Sequence, residues 1–272
     1  MPHAKITALN IYPVKSCRGI ALDRVRLAPT GFAFDRRWMV VDERAKFLTQ
    51  RELPRLSLIK THLEHDQLRL SAPGMSDLEL REVPQGAAVQ VRVWDDHCSA
   101  FDAGAAAAQW LSAFLDRALR LVSFDLNAKR VCDKAWTGNV EAINMFADGF
   151  PLLVLSEASL ENLNTRLTEP LPMNRFRPNI VLSGVSAHDE DRIHELMTDT
   201  VRIRLVKPCD RCSITTTDQA TGQRPSAEPL RTLKSYRWDP KLRGVMFGQN
   251  GIVIQGADSE LRVGQDLEII WT

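Results

Sequence analysis

The sequence predicts a mainly β protein with some helix, of the α+β class, arranged in two strand-rich portions. Three observations lead there. Short stretches that alternate apolar and polar residues recur between polar turns through the first hundred residues. Helical spacing of apolar residues is confined to a few segments, Ala105 to Leu119 foremost. No steady alternation of strand and helix suggests parallel βαβ units, so a barrel or curled sheet is the expected architecture.

The elements follow in order. Ile6 to Tyr12 has strand spacing, and Val25-Arg26-Leu27 alternates cleanly. Trp38 to Asp42 and Phe47-Leu48-Thr49 flank the polar run Asp42-Glu43-Arg44-Ala45-Lys46, which reads as a hairpin. A second hairpin is expected where Leu56 to Leu63 meets Leu68-Arg69-Leu70 across His65-Asp66-Gln67. A third pairs Val89 to Trp94 with Ser99-Ala100-Phe101 across Asp95 to Cys98. The texture changes after Asp102, where Ala105 to Leu119 reads as a helix. Asp125 to Thr137 is polar and irregular and is expected to be a linker or mobile loop. Pro151 to Leu155 reads as a fully apolar strand. Ser156 then stands as N-cap of a helix, with Glu157 favourable in its first turn. Later strands are expected at Ile180-Val181-Leu182, Val201 to Val206, Ser213 to Thr217, Gly251 to Gln255 and Asp266 to Trp271. The division between portions is placed at residues 1–125 and 126–272.

Bulk composition excludes several classes. Hydrophobic residues make up 44% and charged residues 25% of 272, which suits a soluble globular protein with a sizeable core. With 35 basic against 34 acidic side chains there is no basic excess for a nucleic-acid surface, so no nucleic-acid partner is expected. No window approaches the roughly 18 apolar residues of a membrane span, and no leader pattern is visible, so no membrane association is expected. The five cysteines (Cys17, Cys98, Cys132, Cys209, Cys212) are odd in number and scattered, unlike a disulfide framework. A reducing compartment, the cytoplasm by default, is the expectation.

Lys207-Pro208-Cys209-Asp210-Arg211-Cys212-Ser213 is the most informative stretch. Two thiols stand three positions apart beside Lys207 and Arg211, whose charge favours thiolate over thiol. A thiolate serves as nucleophile, redox partner or soft metal ligand. Structural zinc needs four ligands, and the remaining cysteines stand alone. A thioredoxin-type pair should open a helix, whereas the β-branched Ile214-Thr215-Thr216-Thr217 follows here. Two ordinary structural thiols remain possible on this stretch alone. Basic clusters stand at element ends: Lys15-Ser16-Cys17-Arg18-Gly19, Asp35-Arg36-Arg37-Trp38 and Asn174-Arg175-Phe176-Arg177-Pro178-Asn179. Each is either solvated surface charge or a donor set for phosphate. The N-terminus of the helix at Ser156 offers further N–H groups to an anion. Neither a P-loop nor a Rossmann fingerprint occurs.

Taken together, Tyr12-Pro13-Val14-Lys15-Ser16-Cys17, Asp35-Arg36-Arg37-Trp38, Leu155 to Leu160, Arg175-Phe176-Arg177-Pro178-Asn179, Cys209-Asp210-Arg211-Cys212 and Phe247-Gly248-Gln249-Asn250 resemble the MOSC family. The branch resembled contains the mitochondrial amidoxime-reducing component and bacterial relatives. The match runs in order from near residue 5 to the C-terminus, including Arg262-Val263-Gly264-Gln265. It implies an N-terminal MOSC β-barrel-like domain over 1–125 and a MOSC domain, a β-barrel with peripheral helices, over 126–272. It implies the molybdenum cofactor (molybdopterin), with Cys212 as metal ligand and catalytic centre. Residues matching Lys15, Ser16, Arg36, Asp148 and Arg177 would hold the pterin and its phosphate, with further contacts near Arg211 and Asn250. Ser156, Asn179 and Asp210 are neighbouring cofactor-binding candidates.

The resemblance further implies an oxidoreductase that reduces N-hydroxylated or N-oxide compounds. Neither the iron–sulfur domain of some bacterial relatives nor the anchoring segment of mitochondrial ones is expected here. Electrons are therefore expected from a separate flavin, haem or iron–sulfur reductase, and the substrate is a small N-oxygenated compound. The family also has an association with pyridoxal phosphate. A second reading makes the protein a cofactor carrier or persulfide-type sulfur-transfer module, as in the C-terminal domains of molybdenum-cofactor sulfurases. The sulfurase's own pyridoxal-phosphate domain does not fit within 272 residues beside these motifs.

Overall fold

A computed structural model of the chain describes residues 3–64, 67–81 and 86–272. Seven strands close into a barrel. Leu152–Ser156 pairs with Ile180–Ser183, followed in turn by His3–Ile11, Asp266–Trp271, Ile193–Met197, Arg202–Asp210 and Gly244–Gln255, which returns to Leu152–Ser156. Six of the pairings are antiparallel; only Leu152–Ser156 with Ile180–Ser183 runs parallel, its crossover carrying the helix Glu157–Asn164. Closure leaves no edge strand to solvent, and apolar residues from every strand fill one cluster that includes Ile6, Leu9, Val154, Leu182, Ile203, Leu205 and Leu267.

The strand His3–Ile11 crosses the division expected from sequence. It pairs Lys5 with Ser183 on one side and with Asp266 on the other, so the barrel is built from both ends of the chain. A bulge between Ile6 and Ala8 shifts its alternation, so that Ala4 and Ile6 and then Leu9 and Ile11 all face inward.

Ile20–Leu22 and Arg24–Ala28 stay with the barrel, pairing with His3–Ile11 and Glu260–Arg262, and most of the residues from Trp38 to Phe124 form a second layer. Trp38–Val41, Arg120–Phe124, Asp96–Asp102 and Ala88–Val93 make a four-stranded sheet, and Lys60–Glu64, Gln67–Ser71 and Leu78–Arg81 a three-stranded one. All four residues of Trp38–Val41 are buried because the sheet is covered on both faces. Trp38 and Val40 meet the helix Ala105–Leu115 and the hairpin residues Leu68 and Leu70. Met39 and Val41 meet Val91, Val122, Phe124 and Phe146.

Several local expectations are corrected. Ser213–Thr216 is a 3-10 turn, not a strand: the hydroxyls of Thr215 and Thr216 donate back to the carbonyls of Cys212 and Ser213 at 2.9 and 2.8 Å, which overrides their strand preference. Phe47 to Thr49 forms only a single bridge, Val41 to Phe47. Pro54–Leu58 is a 3-10 turn begun by proline where the second hairpin was expected to start, and the turn at 65–66 lies outside the described residues. The helix from Ala105 ends at Leu115, where Asp116 turns left-handed (φ 52°). The stretch expected as a linker contains the strand Arg130–Val131 and the helical turn Lys134–Thr137, capped by Asp133. Gly244–Gln255 is twelve residues long, beginning seven residues earlier than expected.

Barrel closure has one tight point. Gly248 has φ +83°, and a Cβ there would stand 2.9 Å from the Val154 carbonyl oxygen of the neighbouring strand. Gly248→Ala is expected to cost roughly 1–3 kcal/mol through strain at a left-handed site. Urea denaturation checks this; an unchanged midpoint would mean that closure tolerates a side chain here.

Candidate functional site

The elements that leave the barrel mouth and the second layer meet at a cleft of about 420 Å³. It is lined by Lys15, Ser16, Arg36, Asp148, Arg177, Asn179, Asp210, Arg211, Cys212 and Asn250 among others, so ten of the residues singled out from sequence are brought together. Ser156 is not. It caps the helix Glu157–Asn164 as expected, but it is fully buried and its hydroxyl bonds Glu190 (2.9 Å) and Ser159 (2.8 Å), leaving no anion site there.

The cleft concentrates positive charge. Six cationic side chains (Lys15, Arg36, Arg51, Arg177, Lys207, Arg211) face it against two carboxylates, Asp148 and Asp210. The crowd is held by specific contacts. The ring of Tyr12 meets the guanidinium groups of both Arg36 and Arg177, at 4.3 and 4.2 Å from its centroid. Burial pushes the Tyr12 hydroxyl up to about 12 against the pull of both arginines, so it stays protonated and donates to the Pro178 carbonyl at 3.1 Å. Arg36 pairs with Asp35 and donates to Asn179 at 3.0 Å. Arg177 is 8% exposed, and its guanidinium has no hydrogen-bond acceptor among the described residues; burial lowers its pKa to about 10, leaving it a cation near neutrality. Ser16 (φ 68°), Arg36 (φ 49°) and Arg177 (φ 56°) are all left-handed, which costs of order 1–3 kcal/mol each and persists only where surrounding structure enforces it.

Lys15 is nearly buried. Its Nζ donates to the Phe146 carbonyl and to Asp148 Oδ1, both at 2.6 Å. Burial lowers the ammonium's pKa and Asp148 offsets part of that. Desolvation inside the cleft opposes the charge of Asp148, whose side chain is still 57% exposed, but Lys15, Arg51 and the Trp94 N–H outweigh it and hold the carboxyl well below the usual carboxylate range. The loop carrying Asp148 is organised by Arg130, which donates to the side chain of Asn144 and to the carbonyls of Met145, Ala147 and Asp148. Neither Arg130, beside Lys129, nor Arg51 carries a distinctive signal in sequence; both were missed, as was Trp94.

Only Cys209 and Cys212 are partly accessible; Cys17, Cys98 and Cys132 are buried. Burial raises the Cys209 thiol, while Arg211, with an N–H at 2.9 Å, pulls the other way. Lys207 lies over the Trp136 ring at 5.1 Å. Arg211 also donates to the Phe176 carbonyl at 2.6 Å, and its Nε is buried without a partner. Cys212 opens the 3-10 turn, and Arg51 Nη1 reaches its sulfur at 3.3 Å. Asp210 accepts from the Val245 N–H at 3.1 Å and Asn250 donates to the Lys207 carbonyl at 3.3 Å, so both fix the strand pair that presents the thiols. Asn179 accepts from the Leu153 N–H and donates to the Asn10 carbonyl, both at 3.1 Å.

The donor set fits an anionic organic ligand that brings its own metal. No group of three metal-ligating side chains forms among the described residues, so a metal at Cys212 would need ligands from elsewhere. The acceptor-free guanidinium of Arg177 and the orphaned Nε of Arg211 suit a phosphate.

Asp148 generates a pH dependence of stability. Its folded pKa is depressed, so its contribution is complete above the unfolded value near about 3.9 and fades as pH falls below that. The loss of thermal stability in Asp148→Asn is therefore expected to be largest near neutral pH and to shrink below about pH 4. Equal losses at all pH values would show that its contact with Lys15 is not ionic.

Comparison with known proteins agrees with this geometry. Residues 3–118 match the MOSC N-terminal beta barrel domain and residues 141–268 the MOSC domain. The mitochondrial amidoxime-reducing component 1 of Mus musculus is 37% identical over 253 residues, covering 90% of this chain and 74% of that protein. The mitochondrial amidoxime reducing component 2 of Bos taurus is 38% identical over 250 residues, covering 88% and 74%. Component 1 of Homo sapiens is 38% identical over 259 residues, covering 90% and 77%. With the thiol pair, the cationic cleft and both domains in place, this chain belongs to the MOSC family, among the relatives of the amidoxime-reducing components.

Proposed function

We propose that the protein is a molybdenum-cofactor-dependent oxidoreductase that reduces N-hydroxylated or N-oxide compounds, with Cys212 as the protein ligand to the metal. The observation that carries this reading is a partly accessible thiol set in a cleft of six cations and two carboxylates. Lys15, Arg177 and Arg211 would hold the pterin phosphate, with the Ser16 hydroxyl beside them. Arg36, Asp148, Asn179, Asp210 and Asn250 would shape the cradle through the contacts described above. When bound, the cofactor would supply the two-electron redox chemistry at its metal. Reduction of an N–OH group takes up two electrons and two protons and releases water. Asp148, held ionised by Lys15, is no proton donor at neutral pH; its work is to pin the Lys15 ammonium.

No nicotinamide-binding fingerprint occurs in the sequence, so electrons would come from a separate flavin, haem or iron–sulfur protein. Among the described residues no helix is long and apolar enough to cross a membrane. Free thiols at the site suit a reducing compartment such as the cytoplasm.

Cys212→Ser is expected to lower bound molybdenum and N-hydroxy reduction by on the order of tenfold or more, since lost supporting contacts alone cost 10- to 100-fold. Cys209→Ser should be much milder. Molybdenum content and turnover with an artificial electron donor, measured side by side, check this. Equal losses would remove Cys212 as sole protein ligand, and full activity in Cys212→Ser would overturn the enzyme reading. A protein that retains cofactor yet reduces no N-hydroxy compound would be the carrier of the alternative reading.

A further inference from the structure

A second cavity of about 270 Å³ adjoins the cleft, lined by Lys46, Phe47, Glu52 and Arg92 together with Arg51 and Trp94. Arg51 and Trp94 line both spaces, whereas Lys15, Ser16, Arg36 and Arg177 line only the cleft. A molecule arriving through the recess therefore meets this pair before it meets the cradle.

Arg51 is held with unusual definition for a loop side chain. The Gln50 and Gln219 amides bond each other reciprocally at 3.0 and 2.9 Å, and Arg224 donates to the Arg51 carbonyl at 3.2 Å and to that of Gln50. Its guanidinium stands 4.6 Å from the centroid of the Trp94 ring, and Nη1 reaches the Cys212 sulfur at 3.3 Å. The other arm, Nη2, is buried with no acceptor among the described residues. A buried donor of this kind costs free energy until an acceptor reaches it. Trp94 adds the second half. It occupies a hairpin turn with φ 55°, a left-handed conformation unusual for a bulky residue, and its N–H donates to Asp148 at 3.2 Å. Despite these contacts it is 46% exposed.

We propose that Arg51 and Trp94 form the substrate-binding element of this site. Arg51 Nη2 donates to the oxygen on the substrate nitrogen, and the exposed Trp94 ring packs against the planar group that bears it. The placement of Nη1 on Cys212 then sets the N–O oxygen beside the sulfur that would hold the metal. Compounds with a conjugated, planar N-hydroxy group gain from both contacts, and saturated hydroxylamines from only one. This rests on the oxidoreductase reading for its substrate class, but its test is separable from it.

The experiment uses the cofactor-loaded protein with an aryl amidoxime and a saturated alkyl hydroxylamine as probes. Binding is measured by calorimetry without an electron donor, and KM, kcat and molybdenum content are measured on the same preparations. Arg51→Met is expected to keep its molybdenum while Kd and KM for the amidoxime rise roughly tenfold or more, with kcat less affected. Arg51→Lys keeps the charge but loses the fork, and should follow Arg51→Met in direction with a smaller change. Trp94→Ala should weaken the amidoxime more than the alkyl hydroxylamine. Unchanged Kd and KM in Arg51→Met would overturn the proposal. So would loss of molybdenum in step with activity, because the missing acceptor would then belong to the cofactor. A wild type that binds the amidoxime through Arg51 but cannot reduce it removes the enzyme reading and leaves the binding element standing. A wild type that does not bind the amidoxime overturns the element itself.

Discussion

The barrel cannot close on the C-terminal half of the chain alone. Between Ile180–Ser183 and Asp266–Trp271 there is a gap one strand wide, and His3–Ile11 fills it. Everything at the cleft depends on that insertion. The chain leaving this strand passes through Tyr12 and turns at Lys15 and Ser16, and the Arg36 N–H then returns to the Tyr12 carbonyl at 2.9 Å. Inward-facing Ile6, Leu9 and Ile11 fix the register of the strand, because a slip by one residue would turn the whole set outward. Apolar packing in the barrel thereby locates cations at its mouth, opposite a thiol supplied from the far end of the sequence.

Crowding six cations around one space opposes folding, and the local contacts only partly relieve it. Asp35 and Asp148 neutralise Arg36 and Lys15, and the Tyr12 ring offers its π-system to both the Arg36 and Arg177 guanidinium groups. Three left-handed residues add strain at the same place. Groups assembled at such cost gain from any polyanion that binds the folded state, so ligand affinity and fold stability are linked here.

Strands such as Arg24–Ala28 were legible because alternation records a single buried face, whereas Leu152–Ser156 is buried throughout and was legible as an unbroken apolar run. Ser156 was legible as a helix cap, but the carboxylate that occupies it, Glu190, is 34 residues away and leaves no local trace. Thr215 and Thr216 look like strand residues, and their hydroxyl bonds to the preceding turn reverse that preference. The basic clusters pointed to the cleft because several charges recur near element ends. Arg51 stands singly in a loop and Arg130 begins a two-residue strand beside Lys129, and neither setting separates a structural arginine from a solvated charge. Their importance comes from neighbours at Cys212 and at residues 144–148, which only the folded chain brings near.

The two Gln side chains that join the loop at residue 50 to the loop at residue 219 have a different character from the rest of the site. Around them many contacts involve an ion, whose strength varies with dissolved electrolyte and acidity. An amide pair carries no net charge and does not titrate. Buried and doubly bonded, it ties the arginine-bearing wall to the thiol-bearing wall through a joint that neither salt nor protons weaken. The spacing between those walls is thus insulated from the medium, even where the charges that line the cleft are not.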